Sequence, residues 1–226
     1  MISAILTDIE GTISPIAFVK ETLFPYARRH LSDYLQKHQN SKAVREIILE
    51  TGNIIGNTLT LEKAVPVLTR WIDEDKKYTP LKTLQGLIWE QGFRNNIFTS
   101  QIYSDSLKKL QEWKNDGIPV YVYSSGSIFA QNLFFKYSNV GDISSVFDGY
   151  FDTTTGSKKE KSSYQKIAEK ITVKEPNILF LSDIAEELDA AAEAGMKTIL
   201  VNREEKKITG NHKSFSSFEN IDLISL

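Results

Sequence analysis

Two carboxylates directly after the first apolar segment give this sequence its clearest chemical potential. The apolar residues 4–6 predict a buried strand, and Asp8, Glu10, Gly11 and Thr12 follow it. On an extended chain, carboxylates two residues apart face the same side at roughly 6–7 Å, so one substrate group can touch both. Asp8 could then attack as a nucleophile while Glu10 donates a proton to the leaving oxygen and later accepts one from water. Gly11 would let the backbone approach a phosphate, and Thr12 supplies a hydroxyl that can orient the carboxylates. A polar turn without catalytic role is the alternative interpretation.

A cluster of hydroxyl residues follows a second apolar segment, residues 120–123. Ser124, Ser125 and Ser127 surround Gly126, directly before an amphipathic pattern that predicts a helix. Hydroxyls and backbone N–H groups at the start of a helix bind anions such as phosphate. An ordinary helix N-cap is the alternative for one of these serines, although it does not explain the whole cluster.

A cationic loop and a further carboxylate come later in the chain. Lys158, Lys159 and Lys161 lie in a polar loop, where a lysine can offset the charge of a phosphate or can simply be solvated. Asp183 follows the apolar residues 177–181. Hard carboxylate oxygens at a strand end suit Mg²⁺, which keeps water ligands and shares phosphate oxygens. Further acidic residues lie beyond it, and the first two are alternatively favoured by the dipole of the next helix: Glu186, Glu187 and Asp189.

The order of apolar segments predicts an α/β fold. Strand and helix patterns alternate from residue 104 to residue 201, which is typical of a doubly wound, Rossmann-like parallel sheet. Ligands bind beyond the carboxyl ends of the strands of such sheets, where Asp8, Ser124 and Asp183 all fall.

The segment from about Glu21 to Gln91 has a different pattern. It is helical throughout, with predicted breaks at Pro66 and around Pro80, and contains no convincing strand. We therefore expect an α/β catalytic core formed by residues 1–16 and 95–226, with a helical cap, residues 17–94, inserted after the first motif.

Composition narrows the classes of function. The chain has 226 residues, 41% of them hydrophobic, a formal net charge of -2 and a pI near 6.0, so no broad field attracts nucleic acid or an anionic membrane. It has no long apolar run that would span a membrane and no readable signal peptide, so we expect a cytoplasmic protein. The absence of cysteine excludes disulfides and thiolate catalysis. The three histidines have no metal-binding spacing and are interpreted as surface or packing residues: His30, His38 and His212.

The chemical segments occur in the order nucleophile strand, hydroxyl strand, lysine loop and acidic strand. In this order they resemble the four motifs of the haloacid dehalogenase superfamily. Within it, the sequence is similar to the acireductone synthases, the enolase-phosphatases, along most of its length. The most specific element is Glu10, where most phosphatases of the superfamily have aspartate. The segments that carry the similarity are residues 8–12, 15–20, 23–26, 121–127, 151–153 and 181–183.

The resemblance implies a haloacid dehalogenase core with an inserted helical cap, and it gives each motif residue a role. Asp8 would be the nucleophile and a magnesium ligand, and Glu10 would contribute to metal binding and proton transfer. Asp183 would be the second acidic ligand of one Mg²⁺ ion per subunit. The implied phosphate-binding residues are Ser124, Ser125 and Lys158. Two departures, Ile13 in place of threonine and Ser157 in place of a histidine found in some members, concern the placement of the substrate.

The implied substrate is 2,3-diketo-5-methylthiopentyl-1-phosphate. A monomeric enzyme of methionine salvage would enolise it and then remove phosphate, giving the acireductone 1,2-dihydroxy-3-keto-5-methylthiopentene. The cap would exclude water and select the methylthio tail, and Phe18, Phe24 and Trp89 would either line the tail's pocket or form core. The base of the enolisation stays open. A phosphatase acting on another small phosphoester and a non-catalytic binding module are the alternatives.

Overall fold

A six-stranded parallel sheet forms the centre of the computed structural model, which describes residues 1–205 and 211–225. Its strand order is β3-β2-β1-β4-β5-β6. The strands are β1 (Ala4–Thr7), β2 (Val120–Tyr123), β3 (Gly149–Phe151), β4 (Ile178–Ser182), β5 (Lys197–Val201) and β6 (Lys213–Phe215). The predicted α/β fold with a doubly wound parallel sheet is confirmed. The edge strand β6 was not predicted, because three residues with one large apolar side chain give no strand signal.

The helices were expected from amphipathic spacing. The α-helices of the described residues are α1 (Phe24–Lys37), α2 (Lys42–Ile55), α3 (Leu61–Asp73), α4 (Thr79–Arg94), α5 (Ser104–Asn115), α6 (Ile128–Lys136), α7 (Lys161–Ile171) and α8 (Ala185–Glu193). A π-helical turn, Phe18–Leu23, precedes α1, and 3₁₀ turns lie at Ser144–Val146, Glu175–Asn177, Phe218–Asn220 and Leu223–Ser225. None of the helices within residues 1–205 and 211–225 is long and apolar enough to cross a membrane.

The chain divides into two compact units, Met1–Ile16 with Ser100–Leu226, and Ala17–Thr99. The first, the α/β unit, contains the sheet and α5 to α8. Its strand order reverses at β1, which pairs with β2 on one side and with β4 on the other. The crevice at such a reversal is the usual ligand site of an open α/β sheet. One core cluster of this unit joins strands β1 to β5 to helices α7 and α8, through side chains such as Leu6, Phe151, Ile167, Phe180, Leu188 and Leu200.

The second unit, the helical unit, packs α1 to α4 around its own apolar core. Phe18 and Trp89 are buried in it and Phe24 is half-buried, with the Trp89 indole donating to the Leu23 carbonyl at 2.7 Å. Residues 95–99, which the sequence assigned to the α/β part, group with this unit because the Phe98 ring packs on Phe18 and on neighbouring rings.

The two predicted helix breaks behave differently. The break at Pro66 is wrong, since Pro66 lies inside α3. Proline removes one backbone hydrogen bond there, and the buried face formed by Ala64, Leu68 and Trp71 keeps the helix intact. Pro80, in contrast, lies at the start of α4, where proline's missing N–H has no helical partner to lose.

Candidate active site

The loop after β1 places Asp8 in a buried position at the strand-order reversal. The Asp8 N–H donates to the Leu181 carbonyl of β4 at 2.9 Å, and the residue is 4% exposed. The Thr12 hydroxyl donates to Oδ2 of Asp8 at 3.2 Å. The tight loop is closed by a 2.7 Å hydrogen bond from the Gly11 N–H to the Ser14 carbonyl, with Gly11 at φ 82°. A buried carboxylate with one oxygen already oriented is thus present at the end of β1.

Of the three lysines in the predicted cationic loop, Lys158 is the one at this site. Its ammonium lies 2.5 Å from Oδ1 of Asp8 and 2.6 Å from Oε2 of Glu187. Burial alone would lower the pKa of Lys158, but the two carboxylates raise it above its ordinary value, so the side chain is a cation. Lys159 and Lys161 are exposed, as in an ordinary solvated loop.

Two tyrosine hydroxyls fix the loop that carries Lys158. Tyr123, the last residue of β2, donates to the Gly156 carbonyl at 3.0 Å. Tyr164 of α7 donates to the carbonyl of Lys158 itself at 2.6 Å. The two rings meet edge to face with their centroids 5.6 Å apart, and both are fully buried. The main chain on both sides of residue 157 is therefore attached to the core.

Glu10 and Ser124 lie together beside this ion pair. The buried Ser124 hydroxyl donates to Oε2 of Glu10 at 3.2 Å and accepts from the Gly126 N–H at 3.1 Å. Burial, and then the negative charge of Asp8, raise the pKa of Glu10 to about 7. Ser125 is half-buried in the loop that follows, and Ser127 caps α6 through the Ala130 N–H. Glu10 can therefore hold or release a proton near neutral pH.

Asp183, directly after β4, is connected through Thr12 to the loop that carries Asp8. Its N–H donates to the Thr12 hydroxyl at 3.1 Å. A Cβ on Gly11 would lie 2.2 Å from Oδ2 of Asp183, so only glycine fits at that position. Oδ1 of Asp183 is buried and has no hydrogen-bond partner among the residues that the structure describes. Burial, and then the charge of Asp8, raise the pKa of Asp183 to about 7.

These carboxylates suit a hard cation. Across residues 1–205 and 211–225, no group of three or more His, Cys, Asp or Glu side chains is arranged to hold a metal ion. Mg²⁺ does not require such a cage, because it commonly takes one or two carboxylates and completes its shell with water and substrate oxygens. The unpartnered oxygen of Asp183 and the mutual repulsion with Asp8 are features that a bound cation would relieve. The residues present therefore fit Mg²⁺.

Sequence reasoning did not predict the contacts that two residues of this region make in the structure. Glu187, interpreted as either a metal ligand or a helix-dipole residue, instead pairs with Lys158 and accepts from the Ser182 hydroxyl at 2.9 Å. Its position four residues after Asp183, in the first turn of α8, is the signal that could have placed it at the same edge. Arg203, after β5, carried no signal at all. The predicted packing histidine His212 lies elsewhere, bonded to Thr198 and Asp189.

Comparison with known proteins identifies the family. Residues 2–195 match the model of the haloacid dehalogenase-like hydrolases. The chain is 50% identical over 223 residues to the enolase-phosphatase E1 of Aquifex aeolicus, an alignment that covers 99% of this chain and 100% of the relative. It is 53% identical over 205 residues to the enolase-phosphatase E1 of Persephonella marina, covering 91% of this chain and 90% of the relative. The chain belongs to the enolase-phosphatase E1 family.

The enolase-phosphatase E1 assignment confirms the resemblance read from the motifs. The fold agrees with it as well. The crystal structure of the UTR4 protein of Saccharomyces cerevisiae superposes with a TM-score of 0.79 at 34% identity, covering 98% of this chain and 100% of that chain. Three of the similar segments, residues 8–12, 121–127 and 181–183, lie at the ends of β1, β2 and β4, the strands that meet at the strand-order reversal.

Proposed function

We infer that this protein is an acireductone synthase of methionine salvage. It converts 2,3-diketo-5-methylthiopentyl-1-phosphate to 1,2-dihydroxy-3-keto-5-methylthiopentene and phosphate, by enolisation followed by hydrolysis of the phosphate ester. The observation that carries this inference is the near full-length similarity to enolase-phosphatase E1 proteins. The contacts that join Asp8, Lys158 and Asp183 at the sheet reversal support it with a site of suitable chemistry.

We propose that Asp8 is the nucleophile of the phosphatase step. Its carboxylate attacks phosphorus and forms an aspartyl phosphate, while the bond from phosphorus to the enol oxygen breaks. Thr12 and Lys158 each hold one oxygen of the carboxylate, which limits its rotation before attack. Lys158, with the hydroxyls of Ser124 and Ser125, would bind the phosphate oxygens and offset their charge.

Glu10 is proposed as the proton carrier of the same step. In its acid form it donates a proton to the departing enol oxygen. In its carboxylate form it accepts a proton from the water that attacks the aspartyl phosphate, which releases phosphate and restores Asp8. In the metal-free protein a pKa of about 7 makes both forms accessible at neutral pH. The hydrogen bond from Ser124 keeps the carboxyl group facing the site.

Enzymes of this family generally use Mg²⁺, and we propose one ion for each chain. Asp8 and Asp183 would hold it through their carboxylates, Glu10 would contribute to its binding, and water and substrate oxygens would complete the shell. When bound, it supplies positive charge for the phosphate and polarises the ketone oxygen of the substrate during enolisation.

We also propose that the helical unit serves as the cap that selects the methylthio tail, and that the enzyme works as a cytoplasmic monomer. Light scattering of the purified protein measures its molar mass in solution and so tests whether it is a monomer.

The deciding experiment follows phosphate release and the transient enol absorbance together, with 2,3-diketo-5-methylthiopentyl-1-phosphate as the substrate. We expect magnesium-dependent phosphate release preceded by an enol signal in the wild type. Asp8→Asn should abolish phosphate release and leave the protein folded, because the amide cannot attack phosphorus. Asp33→Asn, an exposed position in α1, is the matched control and should behave as wild type.

Three results would contradict parts of the proposal. Substantial phosphate release by Asp8→Asn would exclude the covalent mechanism. Release from generic phosphate esters, but not from the diketo substrate, would leave a phosphatase of the haloacid dehalogenase type acting on another small phosphoester. Absence of turnover with any ester would leave a non-catalytic binding module.

A further inference from the structure

Arg203 lies in the turn after β5, and three segments of the α/β unit enclose its guanidinium. The side chain is 11% exposed. Nε and Nη2 both donate to the carbonyl oxygen of Thr12, at 3.0 and 2.9 Å. Nη1 donates to Oδ2 of Asp105 at 2.6 Å and to the Ser216 carbonyl at 3.3 Å. Nη2 also donates to the Ser106 hydroxyl. The planar guanidinium thus donates to acceptors in three segments at once, and the single ammonium group of a lysine could not reproduce this geometry.

Two aromatic rings and the Asp105 carboxylate hold the guanidinium in the orientation in which it contacts Thr12. It packs over the Tyr103 ring at 4.4 Å and over the Phe218 ring at 5.2 Å from the centroids. Oδ2 of Asp105 also accepts from the Ser217 hydroxyl and the Phe218 N–H, each at 2.9 Å. Burial would raise the pKa of Asp105, but the hydrogen bonds from Arg203 and Phe218 hold it below its ordinary value, so the carboxylate is ionised. Arg203 is therefore preorganised by an ionised partner and two rings.

Thr12 connects this arginine to both acidic loops of the site. Its hydroxyl donates to Oδ2 of Asp8 at 3.2 Å and accepts from the Asp183 N–H at 3.1 Å. The position of that hydroxyl depends on the backbone of Thr12, whose carbonyl receives the two hydrogen bonds from Arg203. The neighbouring Ile13 carbonyl accepts from the Tyr103 N–H at 3.0 Å, which attaches the same loop to the start of α5.

We propose that Arg203 is a positioning residue for phosphoryl transfer. It fixes the main chain at Thr12, and through the Thr12 hydroxyl it sets the relative positions of Asp8 and Asp183. This inference rests on the proposed roles of those two carboxylates. It adds a residue from outside the four motifs, and it assigns that residue an effect on the rate of the chemical step in addition to any effect on stability.

The first test compares Arg203→Lys and Arg203→Met with the wild type in the phosphate-release assay. Circular dichroism must show that each variant is folded at the assay temperature, and Arg203→Lys keeps the test available if Arg203→Met does not fold. We expect kcat to fall about 10- to 100-fold, as for small misplacements of reacting groups, with a smaller change in KM. Arg28→Met is the control, because it removes an exposed two-pronged contact with Asp73 in the helical unit. A wild-type kcat in folded Arg203→Lys would overturn the proposal.

The second test asks whether the effect passes through Thr12. If it does, Arg203→Lys should reduce kcat less in a Thr12→Val background than in the wild type, because the hydroxyl that Arg203 positions is already absent. Equal fractional losses in the two backgrounds would contradict this route. The failure of the proposed function is separable, since it would appear as an inactive wild type or an active Asp8→Asn.

Hydrogen exchange gives a readout that needs no turnover. The amides of Thr12 and Ile13 both donate to the Ile9 carbonyl within the loop that Arg203 holds. We expect peptides covering residues 9–14 to exchange faster in Arg203→Lys than in the wild type, and to be unchanged in Arg28→Met. Exchange at the wild-type rate in Arg203→Lys would count against a positioning role.

Discussion

The ammonium of Lys158 lies 2.5 Å from Oδ1 of Asp8, and the two side chains are only 6% and 5% exposed. The group that is proposed to offset the charge of the substrate's phosphate therefore also pairs with the carboxylate that is proposed as the nucleophile. Glu187, at 2.6 Å from the same ammonium, can keep Lys158 paired when the hydrogen bond to Asp8 is exchanged for a phosphate oxygen. This three-membered arrangement explains how the buried Lys158 side chain keeps its positive charge.

Replacing Lys158 with Met should impair both stability and catalysis. Two buried carboxylates would lose their shared cation, and breaking a buried ion pair typically costs about 3–5 kcal/mol. Loss of one preorganised charge at the phosphate should lower kcat by roughly 10²- to 10³-fold. Urea unfolding and the phosphate-release assay measure the two effects. Lys159→Met, at the exposed neighbouring position, is the control and should change neither. A stable and fully active Lys158→Met would contradict the assignment of Lys158.

Gly11→Ala should weaken magnesium binding by displacing Asp183. The new Cβ would meet Oδ2 of Asp183 at 2.2 Å. Gly117→Ala is a matched control, because Gly117 has φ +80°, close to the +82° of Gly11, and nothing within 4 Å of the added Cβ. Both variants carry the strain of left-handed alanine, about 1–2 kcal/mol. Only Gly11→Ala should reduce Mg²⁺ affinity, by about 10-fold or more, as disturbances next to metal ligands do. Calorimetric titration with Mg²⁺ measures this, and equal affinities in the two variants would refute the explanation.

Tyr164→Phe should loosen the loop that carries Lys158. The lost hydroxyl donates to the Lys158 carbonyl at 2.6 Å in a buried environment, and leaving that carbonyl without this partner should cost about 1–3 kcal/mol. Catalysis should decline with it, mainly in kcat, because the ammonium is held less firmly. Tyr150→Phe is the control, since the buried Tyr150 hydroxyl has no hydrogen-bond partner in the structure. Thermal unfolding and steady-state kinetics of the two variants should therefore diverge.

The order of strands and motifs along the chain could be predicted from the sequence because it depends on local patterns. Apolar runs ending in polar residues identified Asp8, Ser124 and Asp183, and alternating strands and helices implied that their ends share one edge of a sheet. The pairing of Lys158 with Asp8 could not be predicted from such local patterns. Three lysines in one loop have equivalent local patterns, and only the tertiary structure buries one of them.

Glu187, Arg203 and the strand β6 show where sequence patterns were insufficient. The spacing of Glu187 from Asp183 could place it at the same edge of the sheet, but its contact with Lys158 spans 29 residues of chain (187 − 158) and has no local pattern. Arg203 contacts Thr12 across 191 residues. Such contacts follow from the topology of the sheet, and a single sequence contains no periodic signal for them.

Burial of the site's carboxyls, and then the repulsion among their charges, should make the metal-free protein less stable as pH rises from about 5 to about 8. The pKa values of Glu10 and Asp183 are both raised to about 7, from ordinary values of 4.5 and 3.8, and the pKa of Glu187 is raised as well. Between the ordinary and the raised values, the folded protein binds protons that the unfolded chain has released, so the free energy of unfolding decreases with pH through this window. Carboxyls with lowered pKa values, such as Asp105, titrate below it.

Excess Mg²⁺ should reverse this loss, because binding to the ionised carboxylates stabilises only the folded state. Urea unfolding at about pH 5 and about pH 8, with EDTA or with Mg²⁺, measures both effects. We expect EDTA samples to be less stable at the higher pH, and Mg²⁺ to raise stability mainly there. Asp183→Asn should flatten the pH dependence in EDTA, since one of the shifted carboxyls is gone, whereas Asp33→Asn should retain it. A metal-free protein that becomes more stable from pH 5 to pH 8 would show that burial and mutual repulsion do not raise the pKa values of these carboxyls.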